Sequence, residues 1–520
     1  MPKRFPTDRG LWISALPHLS KRAERSDEES LRSTFVHLAG LAPRLRNEEH
    51  QILFGRRGTG KTHALNHLKQ ELLGDDQPAI YIDLRLTGSA GGYYLSAEAG
   101  RGLAALHVIV DIISEVHTAL YAISLDLLDK GEEITALVNG MDKLAAAATE
   151  ITTDGSVTVA NEVSRAHTAT SEFAFTVSEK GLQAAAKLGD ELQAGEKLSR
   201  QATGTERPVL NFTGIARSLQ SVVSALPTGR LWILIDEWSA MPLDIQPIVA
   251  DFFRRCFLPC RGMILKLAAV ERRSRFFAPG VNGYIGVELG SDISAGLDLD
   301  SYLTDGLTSR TPSTEFYEHL IKQHVRAYYT EKYSGDWVAE YFQYETSFHT
   351  DFPAFSEAIY FAAGIPRDLL AICSIAAQRC RPAEGITLAD IASASRQYFI
   401  QEKEAQARLS PRTRSLSGLL RDFAESGQRR FMIDRDHSHE EPELLDLLDQ
   451  RIVHLIERGI GPRGKFDVFA IDLGMVADQF DNSDGRLLDR KNPWANWDHV
   501  RSDQKLAPVL EIDGPRITWH

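Results

Sequence analysis

Cysteine is scarce in this chain of 520 residues: Cys256, Cys260, Cys373 and Cys380 are the four present, in two close pairs set in apolar, helix-like sequence. Their spacings are not those of a zinc ribbon or knuckle, so buried free thiols are expected in place of a four-thiolate metal site. So few cysteines in so long a chain also fit a reducing compartment. A run of about 18 apolar residues is missing, and no membrane span is expected. The opening MPKRFPTDRG has basic residues but no apolar stretch behind them, unlike a secretion signal. A cytoplasmic location is the expectation.

An excess of positive charge is also lacking, since the formal net charge is −13. That excludes a protein whose whole surface holds nucleic acid, because phosphate contact needs clustered Lys and Arg. Basic residues do cluster locally, at Arg254–Arg255, Arg272–Arg273, Arg412–Arg414 and Arg429–Arg430. No internal repeat has a fixed period. What is present is ordinary for a globular protein, with 43% hydrophobic and 25% charged residues, enough for a sizeable core. The length suggests about three or four domains.

Hydrophobic patterning orders the chain. The first forty or so residues are polar, with a short helix around Leu31–Leu41. Gln51–Phe54 is an apolar run ending in a Gly-rich loop, and His63–Leu73 has helical spacing. Pro78–Leu84 is β-rich, and Leu103–Leu128 reads as a long apolar helix. From about Gly131 to Glu206 the texture changes: Ala-rich helix at Lys143–Glu150, a Thr- and Val-rich hairpin at Val157–Val177, and Ala-rich helix again at Gly181–Arg200. This segment reads as an insertion standing out from the core, either a solvent-facing decoration or an oligomer or partner contact. The core resumes with a helix at Ile215–Leu226, a buried strand at Leu231–Ile235, a helix at Ile245–Phe257 and a buried strand at Met263–Val270. A short fifth strand is expected at Gly286–Leu289. That rhythm implies an α/β fold with a parallel sheet and right-handed crossovers.

After Leu299 the β-runs stop. Thr314–Tyr333, Phe352–Gln378 and Leu388–Arg408 are helical, and Ser410–Arg414 reads as a linker. A helix at Leu416–Ser426, a strand at Arg430–Ile433, a long helix at Glu443–Arg458 and an apolar run at Phe466–Leu473 then outline a winged helix. The expected division is an N-terminal segment (1–45), an α/β core that includes the insertion (46–310), a helical block (311–409) and a winged-helix-like C-terminal domain (410–520).

Three elements carry chemistry. Gly55-Arg56-Arg57-Gly58-Thr59-Gly60-Lys61-Thr62 matches the phosphate-loop pattern G-x-x-x-x-G-K-[ST] without a gap. Its glycines let backbone N–H groups turn inward as an anion nest, and the helix starting near Lys61 adds its positive end. Residues 55–63, His63 included, would therefore bind ATP or another nucleoside triphosphate. Lys61 would reach the β- and γ-phosphates, and the Thr62 hydroxyl would ligate magnesium. The second element, Leu231–Glu237, drives a strand through the sheet and ends in two acids at the edge where α/β sheets bind ligands. Asp236 would hold the magnesium shell with Thr62, and Glu237 would orient or deprotonate the attacking water. The third, Gly364-Ile365-Pro366-Arg367-Asp368-Leu369-Leu370, places Pro366 in a helix first turn and would aim Arg367 at something anionic.

Together, the GRRGTGKT loop, the LIDEW strand end and the GIPRDLL helix start resemble AAA+ ATPases, above all the origin-recognition-like initiator clade and the related bacterial STAND-like regulatory ATPases. The resemblance implies that the acidic strand end is Walker B, that Arg367 is the sensor-2 arginine contacting the γ-phosphate, and that a winged helix follows the lid. It also implies assembly into a homo-oligomer when ATP is loaded. Glu271 stands where sensor 1 is expected, and Arg272, Arg273 and Arg275 are unranked candidates for an arginine finger.

Two purposes follow. The first is an ATP-hydrolysing switch in a bacterial-type regulatory or phage-defence assembly with a protein effector, which the long insertion and acidic balance favour. The alternative is an initiator-type protein that binds DNA through the winged helix, with Glu443–Arg458 as the reading helix. The motif His437-Ser438-His439-Glu440-Glu441 has metal-like letters but sits in a charged loop, and Phe466–Asp478 lacks the lysine and second acid of a nuclease. Both, with Glu511-Ile512-Asp513, read as structural.

Overall fold

The computed structural model describes residues 11–19, 28–38, 40–86, 101–148, 151–154, 157–158, 201–202, 205–208, 210–280, 283–308, 312–333, 348, 352, 354–381, 385–405, 410–426, 428–435, 441–480, 508–513 and 516–519. A five-stranded sheet forms the centre. Its strands are β1 (Gln51–Phe54), β2 (Ala79–Asp83), β3 (Leu231–Asp236), β4 (Met263–Ala269) and β5 (Ser294–Asp298). Their spatial order is β5-β1-β4-β3-β2, and every pairing is parallel. The continuous apolar run of β3 is explained by cover on both faces: Leu231, Ile233 and Ile235 join one hydrophobic cluster, Trp232 and Leu234 the other. Each such fully buried side chain contributes on the order of 1.5–3 kcal/mol.

Because the strands are parallel, their carboxyl ends share one edge. The loop after β1 and the acids after β3 therefore face the same side of the sheet. The expected α/β core is present.

Several expectations need correction. The fifth sheet strand is Ser294–Asp298; Gly283–Gly286 instead forms an antiparallel hairpin with Phe277–Gly280. The positive φ of Gly286 and the Gly-Ser-Asp turn that follows divert the chain, so the strand starts after the turn. The helix Thr135–Ala148 does not stand out from the core, for Leu137, Met141 and Leu144 are buried with the helix Phe212–Ala225. The excursion begins at Ile151–Asp154, which pairs antiparallel with Thr205–Pro208. Most of the Val157–Val177 hairpin and all of Gly181–Arg200 lie outside the described residues, as does the His437–His439 motif.

The long helix Arg101–Asp129 forms as expected. By length and composition its Gly102–Asp129 part could cross a membrane, yet half of it is buried here, with Ala105, Val108, Ile112, Val116 and Leu120 in the core.

The helical region contains Pro312–Lys332, Phe355–Phe361, Pro366–Ala377 and Leu388–Tyr398. The last runs on as a π-helical turn, Phe399–Glu404. Ser410–Arg414 is no linker: Ser410 caps the helix Pro411–Glu425, accepting a bond from the Thr413 N–H, with Pro411 in the first turn. The C-terminal part has the order helix, strand Arg430–Asp434, helix Pro442–Asp449, strand Val453–Ile460, strand Phe466–Ile471, with Phe466–Ile471 central in an antiparallel sheet. The expected helix Glu443–Arg458 is thus cut at Asp449. Arg451 takes a left-handed φ of 59°, and the chain continues as strand from Val453, with the β-branched Val453 and Ile456 in it. Side chains of the helical region, the C-terminal part and the N-terminal helix Leu11–Ala15 form one continuous hydrophobic cluster.

Candidate nucleotide site

The loop Gly55–Gly60 leaves β1 and enters the helix Lys61–Gly74. Gly58 and Gly60 have φ of +87° and +100°, where any other residue would be strained. A Cβ on Gly58 would also come within 2.9 Å of the Arg367 Cβ. The Thr59 hydroxyl donates to the Arg56 carbonyl at 2.8 Å, closing the turn. Lys61 Nζ donates back to the Gly55 and Arg56 carbonyls at 2.8 and 3.0 Å, across the mouth of the loop. Burial lowers its pKa, opposed by the nearby charges of Asp236, Glu237 and Asp300.

Asp236 is fully buried, and each carboxylate oxygen accepts one bond: Oδ1 from the Glu237 N–H and Oδ2 from the Tyr81 hydroxyl, both at 2.8 Å. Glu237 has a left-handed φ of 56°, a conformation costly for a residue with a Cβ, and one that turns the chain at the strand end. Burial raises the Glu237 pKa, and the Asp236 charge raises it further against Arg85, Lys61 and Arg57. A carboxyl moved upward in this way is suited to take a proton from water. Arg85 approaches Glu237 at 4.0 Å.

Arg367 comes from the helix start Pro366–Ala377, where Ala363 and Gly364 both have positive φ and reverse the chain. Its N–H donates to the Gly58 carbonyl at 3.3 Å, fastening the helical region to the glycine-rich loop. Arg57, Gly58, Gly60, Lys61, Thr62, His63, Glu237 and Arg367 all line one cleft of about 1220 Å³. Asp236 lies behind them, close enough to Lys61 for the two charges to interact.

Two loop residues and the neighbouring His63 engage other parts of the chain. Arg56 gives its backbone N–H and Nε to Asp300, both at 2.7 Å, and its Nη1 meets His454 Nδ1 at 2.9 Å. Arg57 pairs with Asp449 at 3.2 Å. The His63 ring bonds the Leu31 carbonyl at 2.6 Å. Glu271 takes Arg458 Nη1 at 2.7 Å, Arg272 pairs with the buried Asp467 at 3.0 Å, and Arg273 meets Asp446 at 2.9 Å and Asp449 at 3.3 Å. The Arg275 N–H bonds Gln246 at 2.6 Å.

Sequence reasoning missed a buried polar relay that starts at Arg56. An arginine can only donate, so His454 Nδ1 accepts and its Nε2–H donates to Asp472 at 3.0 Å. Burial pushes the His454 pKa down to about 4, which keeps it neutral. Lys403 then bridges Asp472 and Asp368 at 2.7 and 2.9 Å, and Arg451 Nε reaches both Asp368 oxygens at 3.1 Å. Burial would raise the Asp368 carboxyl, but Arg451 and Lys403 outweigh it and hold it well below the usual range. Lys403 reaches both acids from the π-helical turn, a local widening common at functional sites. Its partners lie far apart in sequence, so no local motif announces the relay.

The donor set suits magnesium, since Thr62 and Asp236 offer hard oxygens and each Asp236 oxygen keeps a free lone pair. No family model matches the chain, and no curated protein matches it. Among solved structures, the Aeropyrum pernix ORC1 protein in complex with DNA is similar at 13% identity, covering 93% of this chain and 97% of that one, with a TM-score of 0.29. A likeness at that score carries no weight here. Fold and loop define a parallel α/β protein with a phosphate-type loop at the carboxyl edge of its sheet.

Proposed function

We propose that the chain is an ATP-binding, ATP-hydrolysing AAA+-type ATPase that works as a nucleotide-dependent switch. One observation carries this reading: a single cleft gathers Lys61, Thr62, Glu237 and Arg367, with Asp236 directly behind. The glycine-lined loop would cradle the phosphates, and Lys61 would exchange its two carbonyl partners for phosphate oxygens. Thr62 and Asp236 would hold magnesium, which offsets phosphate charge when bound. Glu237 would align the water and accept its proton, while Arg367 would close the lid on the γ-phosphate end. The switch reading is supported by the C-terminal part, which reaches the loop itself through Asp449 and His454.

The division into core, lid and winged-helix-like unit, the homo-oligomer and the protein effector belong to the same proposal. DNA binding through the C-terminal unit is the alternative, and the exposed Arg463 and Lys465 at the turn between its last two strands favour it. Asp446 and Asp449 of the preceding helix are instead engaged by Arg273 and Arg57.

The test is Glu237→Gln. Turnover should fall at least 100-fold while ATP binding is kept or tightened, in line with the 10²–10⁴-fold typical of a lost general base. Equal turnover in both proteins would remove Glu237 from its role. Sedimentation with and without ATP, and a DNA mobility shift followed against salt, decide assembly and partner in the same samples.

A further inference from the structure

The C-terminal part lines the nucleotide cleft with one turn, Asp449, Gln450 and Arg451. Asp449 ends the helix Pro442–Asp449, and its side chain is 9% exposed. One of its oxygens pairs with Arg57 Nε of the glycine-rich loop at 3.2 Å, the other with Arg273 Nη2 after β4 at 3.3 Å. Two residues on, Arg451 takes its left-handed φ and pairs with Asp368 at 3.1 Å, next in the chain to Arg367. The turn therefore touches the loop, the end of β4 and the helix start that carries Arg367.

Stability does not account for this arrangement. An acid at the carboxyl end of a helix opposes the helix dipole, and a left-handed φ at a residue with a Cβ is strained. The Arg57 side chain is 47% exposed, where an ion pair contributes little. The pair can also be undone without stranding a buried charge. Asp449 would keep Arg273, and Arg273 has Asp446 as well at 2.9 Å. Arg57 is thus held by an acid, yet free to change partner.

We propose that Asp449 stands in for the terminal phosphate: it holds Arg57 until a triphosphate takes its place, and so sets the preference for triphosphate over diphosphate. This rests on the nucleotide-site reading above. A phosphate offers the guanidinium the same charge-assisted bonds as a carboxylate, with more charge and one more oxygen. A diphosphate lacks that group and leaves the Arg57–Asp449 pair intact. The cost of parting the pair therefore falls on the triphosphate alone.

The experiment measures binding of fluorescent β,γ-imido-ATP and fluorescent ADP, both with magnesium, to the full chain. Wild type is compared with Asp449→Asn, Arg57→Gln and Lys61→Ala. Asp449→Asn removes the competitor and keeps its size, so the preference for the triphosphate should rise at least about fivefold, the low end of coupling between sites. Arg57→Gln removes the exchanged cation, so the same preference should fall by at least about fivefold. A merely structural role would weaken both nucleotides alike and leave their ratio unmoved. If Asp449→Asn does not fold, the half-exposed Arg57 decides alone. A ratio within fivefold of wild type in either variant, or a shift the opposite way, overturns the inference while the site reading stands. If wild type binds neither nucleotide, or Lys61→Ala binds both as wild type does, the two fall together.

Discussion

The central sheet and the seam where the helical region meets the C-terminal part are equally buried, yet they are built of opposite materials. Along β3 the side chains from Leu231 to Ile235 are all apolar and at most 3% exposed. In the seam, Asp368, Lys403, His454 and Asp472 are just as hidden, but each is held by directed bonds to polar or charged groups. Apolar packing is non-directional and weakens in proportion to the atoms removed. A buried charge network behaves otherwise: each member is tolerable only while its partners are in place. The sheet is thus a rigid platform that tolerates small changes. The seam instead depends on every bond being kept, so the loss of one partner should be felt by all the others.

The comparison breaks first at Lys403. Lys403→Met keeps the bulk but leaves Asp368 and Asp472 short of a cation, and should cost about 3–5 kcal/mol in chemical denaturation. A loss below about 1 kcal/mol would mean that the seam packs like the sheet. Next in size is pH. The folded value of about 4 for His454 lies below its unfolded value of about 6.5, so the unfolded chain holds the extra proton between them. Stability should therefore fall as pH drops from 7 to 4, by on the order of 1–3 kcal/mol. The acids Asp368 and Asp472 are also held low, so their contribution is lost only at still lower pH. His454→Gln can make the same two bonds without titrating and should flatten the profile; an unchanged slope would exclude His454 as its source. The smallest effect belongs to the sheet. Ile233→Val should cost only about 0.5–1.5 kcal/mol by the same denaturation, with ATP binding intact. A loss as large as that of Lys403→Met would erase the contrast.

The same contrast explains what could be read in advance. Four of the five strands of the parallel sheet, the phosphate-type loop, the acidic strand end and the Pro366 helix start are local patterns, and periodicity or spacing alone exposes them. The fifth strand was misplaced because Val287 and Leu289 alternate as in a strand, but the segment opens on the positive-φ Gly286 and the sheet strand forms only at Ser294–Asp298. The helix beyond Asp449 failed because its apolar spacing also fits a helix, while Val453–Ile460 is set as strand by long-range pairing with Phe466–Ile471. Tyr81 gave no signal, since a tyrosine in a strand is unremarkable until the fold sets its hydroxyl against Asp236. Long-range polar pairs such as Arg56 with His454, 398 positions apart, have no counterpart in local pattern.

The wide turn at Phe399–Glu404 has a further consequence for how this protein can vary over time. Residues in an α-helix step by about 100° each, so removing a single residue upstream of Lys403 would swing its amine by that angle. Substitutions around it keep the count, whereas a one-residue deletion would point the amine away from both acids at once. This stretch should therefore tolerate changes of letter far better than changes of length.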